Sequence, residues 1–150
     1  AAIAARAMKV GDITKLEDIA LQTISPKRSV QDAVARLVEH NIGALPVCDD
    51  DGRLVGIITE RDVLRLVADR PVPDAVTSSV ADAMTRELVI GVPDDDIEYV
   101  MRVMTEHRIR HLPILDGERL AGIISIGDVV KAKMEESTTE LRFLRDYVAQ

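Results

Sequence analysis

Tryptophan is absent from the 150 residues, and two tyrosines and one phenylalanine bring the aromatic share to only 2%. A core must therefore be assembled from Val, Ile, Leu, Ala and Met, with the five methionines read as gap-fillers rather than a functional stripe. The same scarcity removes the stacking platforms on which single-stranded nucleic acid rests. Cysteine is nearly missing too. Cys48 alone cannot close an internal disulfide, and no Cys-x-x-Cys or Cys/His cluster exists to hold zinc. An excess of positive charge is also lacking: the formal net charge is −7, which argues against broad binding to nucleic acid or anionic membranes. No apolar run approaches the roughly 20 residues of a membrane helix. The opening AAIAARAMKV is too short and too alanine-rich for the apolar region of a signal peptide and has no clear cleavage pattern. The expectation is a cytoplasmic protein that uses no metal, no membrane and no nucleic acid.

What the sequence does contain is a sentence written twice. GIITERDV (Gly56–Val63) returns as GIISIGDV (Gly122–Val129). The match extends well beyond these stretches. At one fixed offset Pro26 meets Pro93, His40 meets His107, Ile42 meets Ile109, Leu45 meets Leu112 and Pro46 meets Pro113. At an offset one residue shorter, Leu54 meets Leu120, Gly56 meets Gly122, and Asp62-Val63 meet Asp128-Val129. The deletion falls between VCDDDGRLVG and ILDGERLAG, where a turn can shorten without disturbing either flanking strand.

Each copy reads as β-α-β-β-α. Short strand candidates at Leu21–Ile24 and Leu88–Val92 precede Pro26 and Pro93. Val30, Ala33, Val34, Leu37 and Val38 then fall on one helical face with Ser29 as N-cap, and Ile97, Val100, Met101 and Met104 repeat that face. A hairpin follows in each copy, ALPV to LVGIIT and HLPIL to LAGIIS, and then a second helix. Short helical pieces, KVGDI and SVADAM, introduce the copies, and the prolines of ADRPVPDAVTSS mark a connector. The expected organisation is a first domain over 8–68, a linker over 69–79, a second domain over 80–134 and a helical tail over 135–150. In that tail Val130, Met134, Leu141, Leu144 and Val148 approximate a heptad seam interrupted at Ser137. Such a helix can lie back on its own domain or serve as an arm between chains.

The hydroxyl-x-x-Asp that ends each repeated sentence (Thr59 and Asp62, Ser125 and Asp128) has a plain reading. A hydroxyl N-cap accepts from an orphan amide, and an acid at the third helical position complements the dipole. Asp looks short for closing a capping box, and an outward aspartate would offer two acceptor oxygens of the kind a vicinal diol requires. Other motifs fail. The serine of GIISIG stands one place too late for a nucleophile elbow, and Gly52 in DDDG stands too early for a calcium loop. There is neither a Walker loop nor a G-x-G-x-x-G. Nothing in the sequence requires an enzyme.

The organisation resembles a tandem pair of cystathionine-β-synthase (CBS) domains, a Bateman module, over about Val10 to Lys133, and most resembles small stand-alone bacterial CBS-pair proteins. The resemblance implies an α/β (α+β) fold of two repeats packed with pseudo-twofold symmetry, plus a C-terminal helix. It also implies a regulatory protein that binds an adenine nucleotide in clefts between the paired repeats and senses energy or redox state. AMP leads the expected ligands, with ATP or NAD(H) as alternatives, and no catalytic cofactor is expected. Carried over, Asp62 and Asp128 would bond ribose hydroxyls with Thr59 and Ser125 close by. Arg110 and His111, in IRHLP, would hold phosphate, and Arg61 would stand near the ligand as a less specific candidate. The first copy reads IGALP at the same place, with Gly43 and Ala44, so the two clefts need not both be occupied. A homodimer and an unidentified regulated protein are further expectations. The rival reading is a ligand-free structural or protein-interaction module.

Overall fold

A computed structural model describes residues 7–16 and 21–149. Most of the alanine-rich opening, residues 1–6, lies outside the described residues, as do Glu17–Ala20. The element order is α1 (Val10–Leu16), α2 (Val30–Glu39), β1 (Ala44–Cys48), β2 (Leu54–Thr59), α3 (Glu60–Asp69), α4 (Val72–Thr77), α5 (Val80–Ala83), α6 (Ile97–His107), β3 (His111–Asp116), β4 (Arg119–Ser125) and α7 (Ile126–Ala149). This is the mixed α+β composition expected, with a helix–hairpin–helix pattern occurring twice. No described helix is long and apolar enough to cross a membrane.

The described chain forms two compact units, and neither is a continuous stretch of sequence. One contains α2 through α5 with the tip of the second hairpin. The other contains α1, α6, the rest of that hairpin and α7. In the first unit β1 and β2 pair antiparallel, Leu45 opposite Ile58 and Val47 opposite Gly56. Ile24 adds a parallel bridge to Val47 on one side, and Thr85 an antiparallel bridge to Ile57 on the other. The strand expected at Leu21–Ile24 is thus reduced to a one-residue bridge, and that at Leu88–Val92 to Gly91, which bridges Ile114. In each copy a proline follows within two residues, and the backbone turns towards the next helix before a ladder can extend.

Buried Ile24, Ala33, Leu37, Leu45, Val47, Ile58, Val80 and Met84 form the core of this unit. The amphipathic face read from the sequence supplies α2's share, and Ser29 caps that helix by accepting from the Asp32 N–H at 3.1 Å. Val80 and Met84 come from the segment that introduces the second copy. Its backbone is tied in by bonds from the Val80 N–H to the Arg28 carbonyl (2.7 Å) and from the Ala81 N–H to the Pro26 carbonyl (3.0 Å). The segment read as a connector carries α4, whose N-cap is Pro71 and whose first turn holds Pro73. Proline has no amide to lose there, so the residues that signal a break also start a helix. Buried Ala75 of α4 packs with Val30 and Leu66.

The other unit reverses the arrangement. Here α1, which introduces the first copy, packs with the second. The Val10 and Gly11 amides donate to the Asp95 and Pro93 carbonyls at 3.0 and 2.8 Å, and the Ile97 amide donates to the Met8 carbonyl. Val10, Ile97, Val100, Met104, Leu112, Ile114, Ile124 and Val129 are buried. The long helix α7 docks through Val129 and Ala132, and the Lys133 ammonium holds Glu98 of α6 at 2.8 Å. That bond lowers the Glu98 carboxyl below its ordinary range and raises Lys133. Residues 137–149 show no buried side chain among those described.

Gly56 is fixed by space rather than by a turn. A Cβ there would lie 2.6 Å from Met84 Sδ and 3.0 Å from the Thr85 carbonyl oxygen. Met84 can shift; the backbone oxygen, held in its bridge to Ile57, cannot. Gly56→Ala is therefore expected to lower stability in urea unfolding by about 1–3 kcal/mol, whereas unchanged stability would mean that the sheet edge at Thr85 yields readily.

Candidate functional site

Both copies of the repeated sentence end a strand and begin a helix. At the first, Thr59 leaves β2 in extended conformation and caps α3, its Oγ1 accepting from the Asp62 N–H at 3.3 Å. The Asp62 carboxylate reaches back to close the box: Oδ2 accepts from the Thr59 N–H at 2.9 Å and from the Thr59 hydroxyl at 3.0 Å. Oδ1 accepts from the Thr85 hydroxyl at 2.9 Å. Asp62 is only 7% exposed, the one charged residue in the described core. Burying a carboxylate is costly unless its oxygens are bonded, and here both are.

The sequence-based expectation that Asp is too short for a capping box, and would turn outward, is overturned in both copies. The first helical turn carries the residue-62 side chain back over the residue-59 amide, close enough for a carboxylate one methylene shorter than Glu. Thr85 was missed altogether. It stands 23 positions from Asp62, and no local spacing signals a contact closed by the fold.

The second copy repeats the box but not the burial. Ser125 Oγ accepts from the Asp128 N–H at 3.1 Å, and Asp128 Oδ2 accepts from the Ser125 N–H at 2.9 Å. Asp128 and Ser125 are both half-buried, and among the described residues no hydrogen bond reaches Asp128 Oδ1. The next residue but one from Ser125 is Gly127, exposed, whose missing Cβ would meet only Ser125 Oγ, at 3.6 Å. Arg61 holds the equivalent place in the first copy and is exposed.

One backbone bond then gathers the remaining candidates of the second copy. The Ile126 N–H, at the start of α7, donates to the Arg110 carbonyl at 2.8 Å. The first copy makes the same bond, from the Glu60 N–H to the Gly43 carbonyl at 3.1 Å. In each copy the residue just ahead of the third element is thereby fixed against the helix start that bears the aspartate. The first copy places a glycine there, and the second an exposed arginine. His111 follows, half-buried, as the first residue of β3. The second copy thus joins Arg110, Ser125 and Asp128 at one helix N-terminus, with one carboxylate oxygen that no hydrogen bond reaches among the described residues. The first joins Gly43, Thr59 and an Asp62 whose two oxygens are both engaged.

The family model of the CBS domain matches residues 10–69 and again 80–135. The chain belongs to the CBS-domain family. A crystal structure of a CBS-domain protein from Agrobacterium tumefaciens shares its fold with a TM-score of 0.81 and 38% identity, over 89% of this chain and 98% of the other. The mitochondrial CBS-domain protein CBSX3 of Arabidopsis thaliana is 40% identical over 126 residues, 80% of this chain. The present chain spans 60% of that relative's length. Two similar CBS structures carry ligands. CBSX2 in complex with AMP matches with a TM-score of 0.70 and 30% identity, over 85% of this chain and 96% of its own. The CBS pair of protein MJ0100, in complex with 5′-methylthioadenosine and S-adenosyl-L-methionine, matches with a TM-score of 0.76 and 26% identity, over 87% and 99%.

The different settings of the two CBS aspartates set different costs for losing them. Asp62→Ala removes the acceptor of the Thr59 amide and of the Thr59 and Thr85 hydroxyls at once, and is expected to destabilise by about 2–3 kcal/mol. Asp128→Ala removes one reciprocal cap at a half-exposed site, worth about 1 kcal/mol. Denaturant unfolding of the two variants measures both, and equal losses would contradict the asymmetry.

Proposed function

We propose that this CBS protein is a regulatory binding module for an adenosine ligand, and that the second copy supplies the groups that recognise it. The carrying observation is Asp128, half-exposed and with no hydrogen bond to Oδ1 among the described residues, on the same helix start to which the Arg110 backbone is fixed by the Ile126 bond. A carboxylate with a free oxygen accepts from the vicinal hydroxyls of a ribose. An exposed guanidinium, always charged and forked, suits a phosphate. Ser125 stands beside Asp128 and can add its hydroxyl, with His111 as a secondary helper to Arg110. In the first copy Asp62 is committed to Thr59 and Thr85, so Thr59 and Arg61 would contribute at most contacts at the edge of the ligand.

The ligand-bound neighbours support an adenosine moiety as the shared chemistry, AMP in one and two sulfur-bearing adenosine compounds in the other. Arg110 tips the choice for this chain towards a phosphorylated ligand, AMP first, then ATP or NAD(H). No reaction is needed: a ligand that binds one arrangement of the protein better than another shifts their populations, and a regulated protein reads the result. The same reading takes the protein as a cytoplasmic homodimer.

The test is thermal unfolding with and without millimolar AMP, ATP, NADH and S-adenosylmethionine. A ligand at 100 times its dissociation constant should contribute about 2.7 kcal/mol. The absence of a shift with all four would sink the reading in favour of a structural or protein-interaction module. Calorimetry then assigns the roles. Arg110→Ala is expected to weaken AMP about ten- to a hundredfold while barely changing adenosine, the loss of one charge-assisted bond. Asp128→Ala should weaken both ligands, and equal losses of AMP and adenosine in Arg110→Ala would make Arg110 a support rather than the phosphate contact.

A further inference from the structure

We infer that the distal half of α7 is a pairing surface for a second copy of this chain, and that two such helices lie parallel and in register. The inference rests on the dimeric part of the reading above and on none of its nucleotide chemistry. Gly127, Val130, Met134, Ser137, Leu141, Leu144 and Val148 alternate by three and four without a break, which is the a/d spacing of a two-helix seam. The five apolar side chains from Val130 to Val148 are between 45% and 81% exposed. The helix holds its own unit through a flanking face instead, at Val129, Ala132 and Lys133, of which Lys133 borders the seam. From Ser137 onwards nothing in the described chain covers it, for about 20 Å of helix at 1.5 Å per residue.

Charge identifies the occupant. With Met134, Leu141 and Val148 at a, Glu140 falls at g and Arg145 at e of the following heptad. In a parallel pair those are the positions that meet across the seam, so Glu140 of each chain faces Arg145 of the other, twice. Neither residue has an ion pair among the described residues. Parallel registry also sets every layer against itself: Leu141 on Leu141, Leu144 on Leu144, and the one polar layer hydroxyl to hydroxyl at Ser137. Antiparallel pairing centred on the leucines would leave Ser137 against Val148 and separate Glu140 from Arg145. The self-complementary charges fit a second copy better than an unrelated helix.

Sedimentation of the full chain tests the surface, since Leu141 and Leu144 are exposed and their replacement should leave each fold intact by circular dichroism. Leu141→Asp with Leu144→Asp is expected to weaken dimerisation about a hundredfold or more. Glu140→Arg or Arg145→Glu alone should each weaken it about tenfold, and an equimolar mixture of the two single variants should restore it, because both interchain pairs become attractive again. Val148→Cys in a Cys48→Ser background should oxidise to a covalent dimer, and far more slowly once Leu141→Asp and Leu144→Asp are added, because a parallel, in-register seam holds the two thiols side by side. A wild-type monomer at all concentrations would overturn both the dimer and this surface. A dimer indifferent to the leucine changes would overturn the surface alone. A leucine-dependent dimer that neither responds to charge mixing nor cross-links at position 148 would overturn the parallel arrangement.

Discussion

The buried carboxylate of Asp62 is the constraint around which the first unit is organised. It sits where β2 becomes α3 and holds three donors from two separate stretches of chain. Through Thr59 it fixes the direction in which the helix leaves the sheet. Through Thr85 it secures the segment after α5, which pairs with Ile57 by backbone bonds of 3.0 and 2.8 Å. A single charged group inside an aliphatic core is tolerable only because each oxygen is satisfied, and that requirement makes its geometry unusually specific. Gly56, two residues before Ile58 on the same strand, must stay small so that Met84 and Thr85 can approach. Cap, glycine and edge pairing are therefore parts of one arrangement.

The second copy keeps the scaffold and releases the side chain. Its capping box is closed by the same pair of reciprocal bonds, so the helix start is equally well defined, while among the described residues nothing donates to the far oxygen of Asp128. Replacing Gly43 by Arg110 at the equivalent tether adds a cation where the first copy has no side chain at all. Duplicated elements that share the same reciprocal cap thus differ in how many donors the aspartate holds among the described residues. Burial decides that, not sequence: Thr-x-x-Asp and Ser-x-x-Asp look interchangeable on the page.

Most of the fold was legible because it is written in short-range patterns. The faces of α2 and α6, the Ser29 cap, both hairpins and the start of each final helix follow from spacing within a turn or two, and doubling made each reading reinforce the other. The failures have a common physical origin in contacts distant along the chain. Thr85 meets Asp62 by folding, and Ile24 and Gly91 are extended but find only one bridging partner each. Prolines read as breaks because their usual effect is to remove an amide bond, yet at the first turn of α4 there is none to remove. The tail's heptad was visible, but only the exposure of the side chains described between residues 137 and 149 separates an unpaired seam from a helix folded back on its own unit.

The crossed placement of the introductory helices bears on why such repeats come as pairs. Val80 and Met84 precede the second copy in sequence but are buried with Leu45 and Ile58 of the first, and Val10 precedes the first copy but is buried in the unit of the second. A stretch cut to the repeat as it reads in sequence would lack one wall of its core and a bridge at the edge of its sheet. At about sixty residues a domain buries only a modest share of its surface, so the loss of two large side chains is a large fraction of its stability. Each copy is completed by the chain that introduces the other. The repeat visible in the sequence and the unit that folds are consequently different objects, and the pair is the smallest segment in which both cores are whole.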